Sequence, residues 1–189
     1  VLDTLHALLA HGIDVKLNAV VMDGQNTDDL IPLTQLTRQH PVSVRFIEEM
    51  PFNGEGAHYP KLVWNHVRIL ETLRAHYPDL QKIPDGPHST SYNYAIPGHL
   101  GNVGIIAAFS RTFCGTCNRI RLTAQGELKT CLYDDGVLDV RALLRAGATD
   151  EELRHAFRRA FAHRPQNGFE AEAGRQNHPV SESMSTIGG

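Results

Sequence analysis

Apolar and polar residues follow two different spacings over the first fifty positions of the chain. Three leucines recur at helical spacing before Gly12, which predicts a helix over 2–11. The largely apolar runs 15–22 and 42–47 predict strands, and the segment 28–39 between them predicts a second helix. Helix, strand, helix and strand in succession are typical of parallel α/β units, whose strands need cover on both faces.

After Pro51 the pattern changes to a mixture of helix, turn and short strand. A helix is predicted with Val63, Val67, Leu70 and Leu73 on its apolar face. A stretch rich in proline and glycine, 83–97, is predicted to be made of turns. Three short strands are then predicted, the last two joined by a hairpin turn at 124–127: 103–109, 119–123 and 128–132.

A helix-start signal lies near the end of the chain. Thr149 followed by Glu152 fits a capping box and predicts a helix to about His163. We expect the residues after it to form a tail with little structure of its own. The predicted organisation is α/β and has three parts: the end of a sheet or barrel (1–50), a mixed α+β extension (51–163) and a tail (164–189).

Composition narrows the classes of function. The formal net charge of −3 gives no global basic field for nucleic acid or an anionic membrane, and no apolar stretch approaches the length of a membrane span. An anionic substrate would therefore need a local group of basic side chains. The first residue is Val1 and not Met, inside a predicted helix, so we expect further sequence upstream.

The three cysteines are close together in the sequence, at Cys114, Cys117 and Cys131. A secreted disulfide scaffold would have an even number spread along the chain, so this grouping indicates a metal site in a reducing compartment. Thiolates at i and i+3 can hold one centre, and a hairpin turning at Gly126 would return the third beside them.

The spacing alone leaves the metal open. Structural zinc needs a fourth protein ligand, for which His99, His155 or His163 would be candidates. An iron–sulfur cluster usually takes four cysteines, and one held by three keeps an open iron for an exogenous ligand. Buried cysteines without any metal are the third alternative.

Basic residues adjoin both the cysteines and the first strands. Arg119 and Arg121 are two apart, so on a strand they would share a face with Cys117, with Ile120 and Leu122 packed inward. Two guanidinium groups beside a metal centre would suit phosphates. On the first two strands, the polar residues that face away from the apolar ones would line the lumen of a barrel: Lys16, Asn18 and Arg45.

Together these segments resemble the GTP 3′,8-cyclase family of radical S-adenosylmethionine (SAM) enzymes. The resemblance rests on the run 15–22, on Arg45-Phe46-Ile47-Glu48 with Met50-Pro51, on the cysteine–arginine segment 113–123 with Cys131, and on the terminal Gly188-Gly189. It covers nearly the whole chain. The amino-terminal Cys-x3-Cys-x2-Cys motif of the family is absent, so the resemblance implies the last part of a radical SAM (β/α) barrel followed by an auxiliary-cluster extension.

The resemblance also implies roles for individual residues. The three cysteines would hold an auxiliary [4Fe–4S] cluster whose open iron meets the guanine of GTP. Lys16 and the run 119–121, which includes Ile120, would contact GTP. Met50 would border the SAM site, and Arg45, Asn18, Gly188 and Gly189 would belong to the active-site cavity.

The implied activity is the first step of molybdopterin synthesis. A second [4Fe–4S] cluster in the complete enzyme would reduce SAM to a deoxyadenosyl radical, and GTP would become (8S)-3′,8-cyclo-7,8-dihydroguanosine 5′-triphosphate. The resemblance implies a cytoplasmic enzyme, a homodimer, and a cyclic pyranopterin monophosphate synthase acting on the product. It implies no nucleic-acid or membrane partner, and we expect the 189-residue chain alone to be inactive.

Three other functions fit parts of the same pattern. A radical SAM peptide-modifying enzyme would carry more cysteines in its extension. A zinc-stabilised binding module would contain zinc and no iron. A small electron-transfer iron–sulfur protein would need four cysteines and no phosphate site.

Overall fold

The computed structural model describes residues 2–50, 52, 62–176 and 182–187. The chain divides into two compact units, of which the first comprises 1–49 with 61–113 and the second 50–60 with 114–189. Residues 61–113 group with the first 49 residues because the strands after residue 80 return to the first sheet. The three-part organisation stays a prediction.

The first unit contains three helices and five strands among its described residues. In chain order they are α1 (Leu2–Ala10), β1 (Lys16–Val21), α2 (Leu30–Gln39), β2 (Ser43–Glu48), α3 (His66–His76), β3 (Gln81–Lys82), β4 (Ser91–Ala95) and β5 (Asn102–Ile106). The sheet order is β1-β2-β5-β4-β3. Strands β1, β2 and β5 are parallel, and β4 and β3 continue the sheet antiparallel.

One face of this sheet forms the core of the unit. Alternate residues of the parallel strands are almost fully buried, among them Val44, Phe46, Val103 and Ile105, and they pack with apolar residues of α1, α2 and α3. Because side chains alternate across a strand, the residues between them point to the opposite face. The predicted α/β class and the first two helices and strands are confirmed, with ends shifted by one or two residues.

Two predictions about the middle of the chain are wrong. Helix α3 begins at His66, where Asn65 caps it by accepting the Arg68 N–H at 2.9 Å, so Val63 precedes the helix. Val67 is 47% exposed, and the buried apolar residues of the helix are Ile69 and Leu73. The turn-rich stretch also contains β4, whose tyrosines at 92 and 94 pack with the core.

The second unit is built from short elements. They are β6 (Arg121–Leu122), β7 (Glu127–Lys129), β8 (Leu138–Asp139), α4 (Val140–Arg145), α5 (Asp150–Ala162) and α6 (Gly168–Ala173). The three strands form one antiparallel sheet in the order β6-β7-β8. Both the hairpin through Gly126, which has a positive φ of 89°, and the capping box at Thr149 are confirmed.

The last part of the chain is more ordered than the sequence predicts. Residues 164–176 include α6, and Arg175 is buried and paired with Asp135 at 2.7 Å and Glu182 at 2.8 Å. Ile187 is 3% exposed and packs in an apolar cluster with Phe52 and Tyr133. The expectation of a tail with little structure is therefore wrong for 164–176 and 182–187.

The described helices were also compared with the requirements of a membrane span. None of them is long and apolar enough to cross a bilayer.

Candidate functional site

The hairpin of the second unit and the turn before it carry the three cysteines. Cys114 begins a short 3-10 turn, and the Cys117 N–H donates to the Cys114 carbonyl at 3.2 Å. Arg121 pairs with Lys129 across the hairpin, and Cys131 lies two residues beyond that pair. All three thiols are free and partly buried.

A carboxylate fixes the backbone around Cys131. Asp134 Oδ2 accepts the N–H groups of Thr130 at 2.9 Å and of Cys131 at 2.8 Å, and Oδ1 accepts that of Gly136 at 2.9 Å. The guanidinium of Arg175 donates to the carbonyls of residues 133 and 134 at 3.3 and 3.2 Å. Charged groups therefore hold the turn that presents this thiol.

The environments of two of the thiols differ. Burial raises the pKa of Cys117, but a hydrogen bond from the Arg119 N–H, another from the Arg164 guanidinium, and the two positive charges outweigh it and hold the pKa below its usual value. Burial raises the pKa of Cys131, and the negative charges of Asp134 and the other two cysteines raise it further, against one hydrogen bond from the Tyr133 N–H. The three sulfurs are close enough to interact electrostatically.

The predicted arginine pair lies at these cysteines. Burial lowers the pKa of Arg121, and so does the adjacent charge of Arg119, while Cys117 and Cys131 oppose the shift. Arg121 is half-buried, and its Nε has no hydrogen-bond partner in the part of the chain that the structure describes. A partly buried guanidinium with an unused N–H donor can bind an anion.

The strand geometry around this pair differs from the prediction. Strand β6 contains only Arg121 and Leu122, so Cys117 and Arg119 lie before the strand, outside regular secondary structure. Ile120 and Leu122 are 49% and 57% exposed, and the expectation that they pack inward is wrong.

The donor set constrains the metal. Among the described residues, no group of three or more His, Cys, Asp or Glu side chains is close enough to hold a single ion. Of the histidines considered as a fourth zinc ligand, His99 bonds Thr37 Oγ1 through Nδ1 at 2.8 Å, and His163 Nδ1 contacts the Arg159 carbonyl at 2.8 Å.

The predicted polar residues of the first unit share one face of its sheet. Asn18 pairs with Arg45 in register, and Lys16 lies two residues before Asn18 on the same face. Lys16 and Asn18 are exposed, whereas Arg45 is half-buried, and its Nε makes no hydrogen bond to a described residue. Met50 belongs to the second unit and packs against its apolar cluster. Gly188 and Gly189 lie outside the described residues.

A buried carboxylate holds the end of the strand that carries Arg45. Glu48 is fully buried and accepts the His66 N–H at 2.7 Å and the Ser110 N–H and hydroxyl, each at 2.7 Å. His66 Nδ1 is 2.9 Å from the same carboxylate. This network links the end of β2 and the segment after β5 to the start of α3. It lies at the carboxyl ends of the parallel strands, where α/β sheets bind their ligands.

Sequence reasoning missed several residues beside these. Ser91 and Asn93 lie on the strand that was predicted to be turns, and Gly104 is the register partner of both Arg45 and Asn93. The signal that could have found them is the alternation of Ser91-Tyr92-Asn93-Tyr94, which a half-buried strand requires. Arg164 at Cys117 has no comparable signal, since it follows a helix far along the chain.

A comparison with protein families decides which family this is. The profile described as Molybdenum Cofactor Synthesis C matches residues 42–170, more than half of the chain. The chain belongs to this family. The resemblance predicted from the sequence is thereby confirmed at the level of the family.

Curated relatives of this Molybdenum Cofactor Synthesis C chain carry related names. It is 38% identical to a GTP 3′,8-cyclase of Moorella thermoacetica over 98% of its own length and 56% of the relative. It is 35% identical to the GTP 3′,8-cyclase of Chlorobaculum tepidum over 96% of its own length and 54% of the relative. It is 44% identical to the bovine molybdenum cofactor biosynthesis protein 1 over 81% of its own length and 24% of the relative. The chain thus spans between about a quarter and about half of these relatives.

Proposed function

We propose that this chain forms part of a GTP 3′,8-cyclase and provides its GTP-binding iron–sulfur site. The reaction would convert GTP to (8S)-3′,8-cyclo-7,8-dihydroguanosine 5′-triphosphate in the first step of molybdopterin synthesis. The names of the relatives support the reaction. The observation that carries the site is Arg121, a half-buried guanidinium with an unpartnered Nε beside Cys117 and Cys131.

The three cysteines would hold an auxiliary [4Fe–4S] cluster. Their partial burial, their mutual proximity and the lack of a fourth cysteine fit three-thiolate ligation. When bound, such a cluster supplies one iron with an open coordination position, which suits a ring nitrogen or exocyclic group of guanine. Asp134 would keep the Cys131 backbone in the orientation that ligation needs.

The arginines would bind the triphosphate. Arg119 and Arg121 provide two forked donors, and fork geometry matches phosphate oxygens. A phosphate would give Arg121 Nε the partner it lacks and would offset the mutual repulsion of the two guanidiniums. Ile120, exposed between them, would contact the same nucleotide.

The first unit would form part of a radical SAM barrel, in which Lys16 would meet GTP and Asn18 and Arg45 would belong to the active-site cavity. In the second unit, Met50 would border the SAM site, and Gly188 and Gly189 would belong to the active-site cavity. A second [4Fe–4S] cluster in the complete enzyme would cleave SAM. The enzyme would work in the cytoplasm as a homodimer, and its product would pass to a cyclic pyranopterin monophosphate synthase.

The chain by itself would not cleave SAM. It holds three cysteines, none of them in a Cys-x3-Cys-x2-Cys arrangement. We expect no deoxyadenosine when the purified 189-residue chain is incubated with SAM and a reductant. Formation of deoxyadenosine would contradict this part of the proposal.

GTP binding tests the site directly. The chain is reconstituted with iron and sulfide without oxygen, and its affinity for GTP is measured by equilibrium dialysis. Arg121→Ala should weaken binding by roughly 2 kcal/mol, about thirtyfold, at unchanged iron content. Arg158→Ala, on the exposed side of α5, is the matched control and should bind GTP normally. Equal affinities in both variants would remove the phosphate role of Arg121.

A further inference from the structure

A row of polar residues crosses the sheet of the first unit, on the face away from its helices. Asn18, Arg45, Gly104 and Asn93 are register neighbours on four successive strands. Register neighbours point to the same face of a sheet, and so does Ser91, two residues before Asn93. A polar row of this length on one sheet face forms a surface with many hydrogen-bonding groups.

Three of these side chains converge over the glycine. A Cβ atom built on Gly104 would lie 2.3 Å from Ser91 Oγ, 3.1 Å from Arg45 Cγ and 3.3 Å from Asn93 Oδ1. Any side chain at this position would displace Ser91 or Arg45. The glycine is therefore needed for space, since it lets polar groups from two neighbouring strands approach the backbone between them.

Two polar atoms of these side chains have no hydrogen-bond partner among the residues that the structure describes. Ser91 is only 4% exposed, and its hydroxyl makes no hydrogen bond to any described residue. Arg45 Nε is also buried and without a hydrogen-bond partner in the described part of the chain. Buried polar groups are normally paired, and leaving one unpaired is costly. An unpaired hydroxyl and an unpaired guanidinium N–H at one glycine are what a ligand-binding position would leave in the free protein.

The local charges favour an anion. Both unpaired groups can donate a hydrogen bond, and Arg45 is permanently positive. The carboxylate that contacts Asn93, Asp85, is already paired with Lys82 at 2.8 Å and accepts the Asn93 side-chain N–H at 3.0 Å. Its negative charge is therefore offset by the positive charge of Lys82.

We propose that Arg45 and Ser91, brought together over Gly104, form a subsite for an oxyanion of a bound ligand. Both donors would bind the same carboxylate or phosphate group, with Asn93 at its edge. The identity of the ligand rests on the proposed function, which offers two sources of this chemistry: the carboxylate of SAM and the phosphates of GTP.

Removing one oxygen atom tests the subsite. Equilibrium dialysis of the 189-residue chain against SAM and against GTP, in separate experiments, is compared for the wild type and Ser91→Ala. We expect about a tenfold loss of affinity for the ligand whose oxyanion binds here, since a neutral donor loses a charged partner. A loss confined to SAM assigns the carboxylate, and a loss confined to GTP assigns the phosphate.

Two further variants separate binding from folding. Ser43→Ala is the matched control, because the Ser43 hydroxyl lies on the same face and already bonds Asn102 Oδ1 at 2.8 Å. It should bind both ligands normally. The melting temperature of Ser91→Ala without ligand should not fall, since its hydroxyl has no partner to lose. Gly104→Ala should lower the affinity for the same ligand as Ser91→Ala does, because the added methyl group displaces the Ser91 side chain.

The results that would overturn the subsite differ from those that would overturn the proposed function. Unchanged affinity of Ser91→Ala for both ligands would overturn the subsite, and so would a wild-type chain that shows saturable binding of neither. The proposed function would still stand if the chain assembled an iron–sulfur cluster. Conversely, a tenfold effect of Ser91→Ala in a chain that assembles no iron–sulfur cluster would support the subsite and contradict the proposed cluster role.

Discussion

The two units are stabilised in different ways. The first has a five-stranded sheet over a large apolar core, with Phe46 and Ile105 each 1% exposed, and Glu48 is a fully buried carboxylate at the end of one strand. The second has strands of two or three residues, and charged side chains are buried in it: Lys129 at 2%, Arg175 at 6% and Asp134 at 7% exposure. The difference teaches that the cysteines lie in the unit with the smaller apolar cluster, against which Cys131 packs, and that buried ion pairs add to its stability.

The largest effect is expected from the apolar core of the first unit. Phe46→Ala should lower the free energy of unfolding by about 4 kcal/mol, because it removes an almost fully buried ring and leaves a cavity. Urea unfolding followed by fluorescence measures this, since Trp64 is the one tryptophan and belongs to the same unit. Val67→Ala, at a 47% exposed position, should change the value by less than about 0.5 kcal/mol.

A somewhat smaller effect is expected from the charge network of the second unit. Arg175→Met should cost about 3 kcal/mol, because Asp135 and Glu182 lose a buried partner while the apolar volume is kept. Circular dichroism should report an earlier urea transition, while the Trp64 midpoint moves less. Equal shifts of both signals would mean that the units do not differ in this way. Arg158→Met, at an exposed position, is the control.

The smallest predicted effect lies within the cysteine site. In the metal-free chain, the pKa of Cys117 is lowered and that of Cys131 is raised, so Cys117 should form its thiolate at lower pH. Alkylation by iodoacetamide over a pH series, read by mass spectrometry, gives the two midpoints. Arg164→Ala should move the Cys117 midpoint upward, because the hydrogen bond and charge that favour the thiolate are lost. Identical midpoints for both cysteines would contradict the described environments.

The sequence predicted the regular parts of both units and missed what depends on distant residues. Strands β1 and β2 and the hairpin at Gly126 follow from local patterns, and the structure contains them. The contact of Lys129 with Glu182 joins residues 53 apart and leaves no periodic signal, so the order of the final segment could not be predicted. Ser91 was missed because the prolines and glycines on both sides of β4 predict turns, and the alternation of polar and aromatic residues in β4 is only four residues long.

In the candidate site, too, local sequence patterns were predicted and contacts between distant residues were not. The grouping of the cysteines and the adjacent arginines was visible in the sequence, and the structure brings Arg121 beside Cys117 and Cys131. The inward packing of Ile120 was a wrong extrapolation from strand periodicity, because β6 is only two residues long. The space over Gly104 could not be predicted, since it depends on the register of three strands.

The composition of the metal centre tests the central claim most directly. After anaerobic reconstitution of the chain, iron, acid-labile sulfide and zinc are determined together with the electron paramagnetic resonance spectrum of the reduced sample. We predict about four irons and about four sulfides per chain, a cluster signal that changes when GTP is added, and loss of that signal in Cys131→Ser. One zinc per chain without iron, or iron content that is unaffected by Cys131→Ser, would contradict the account.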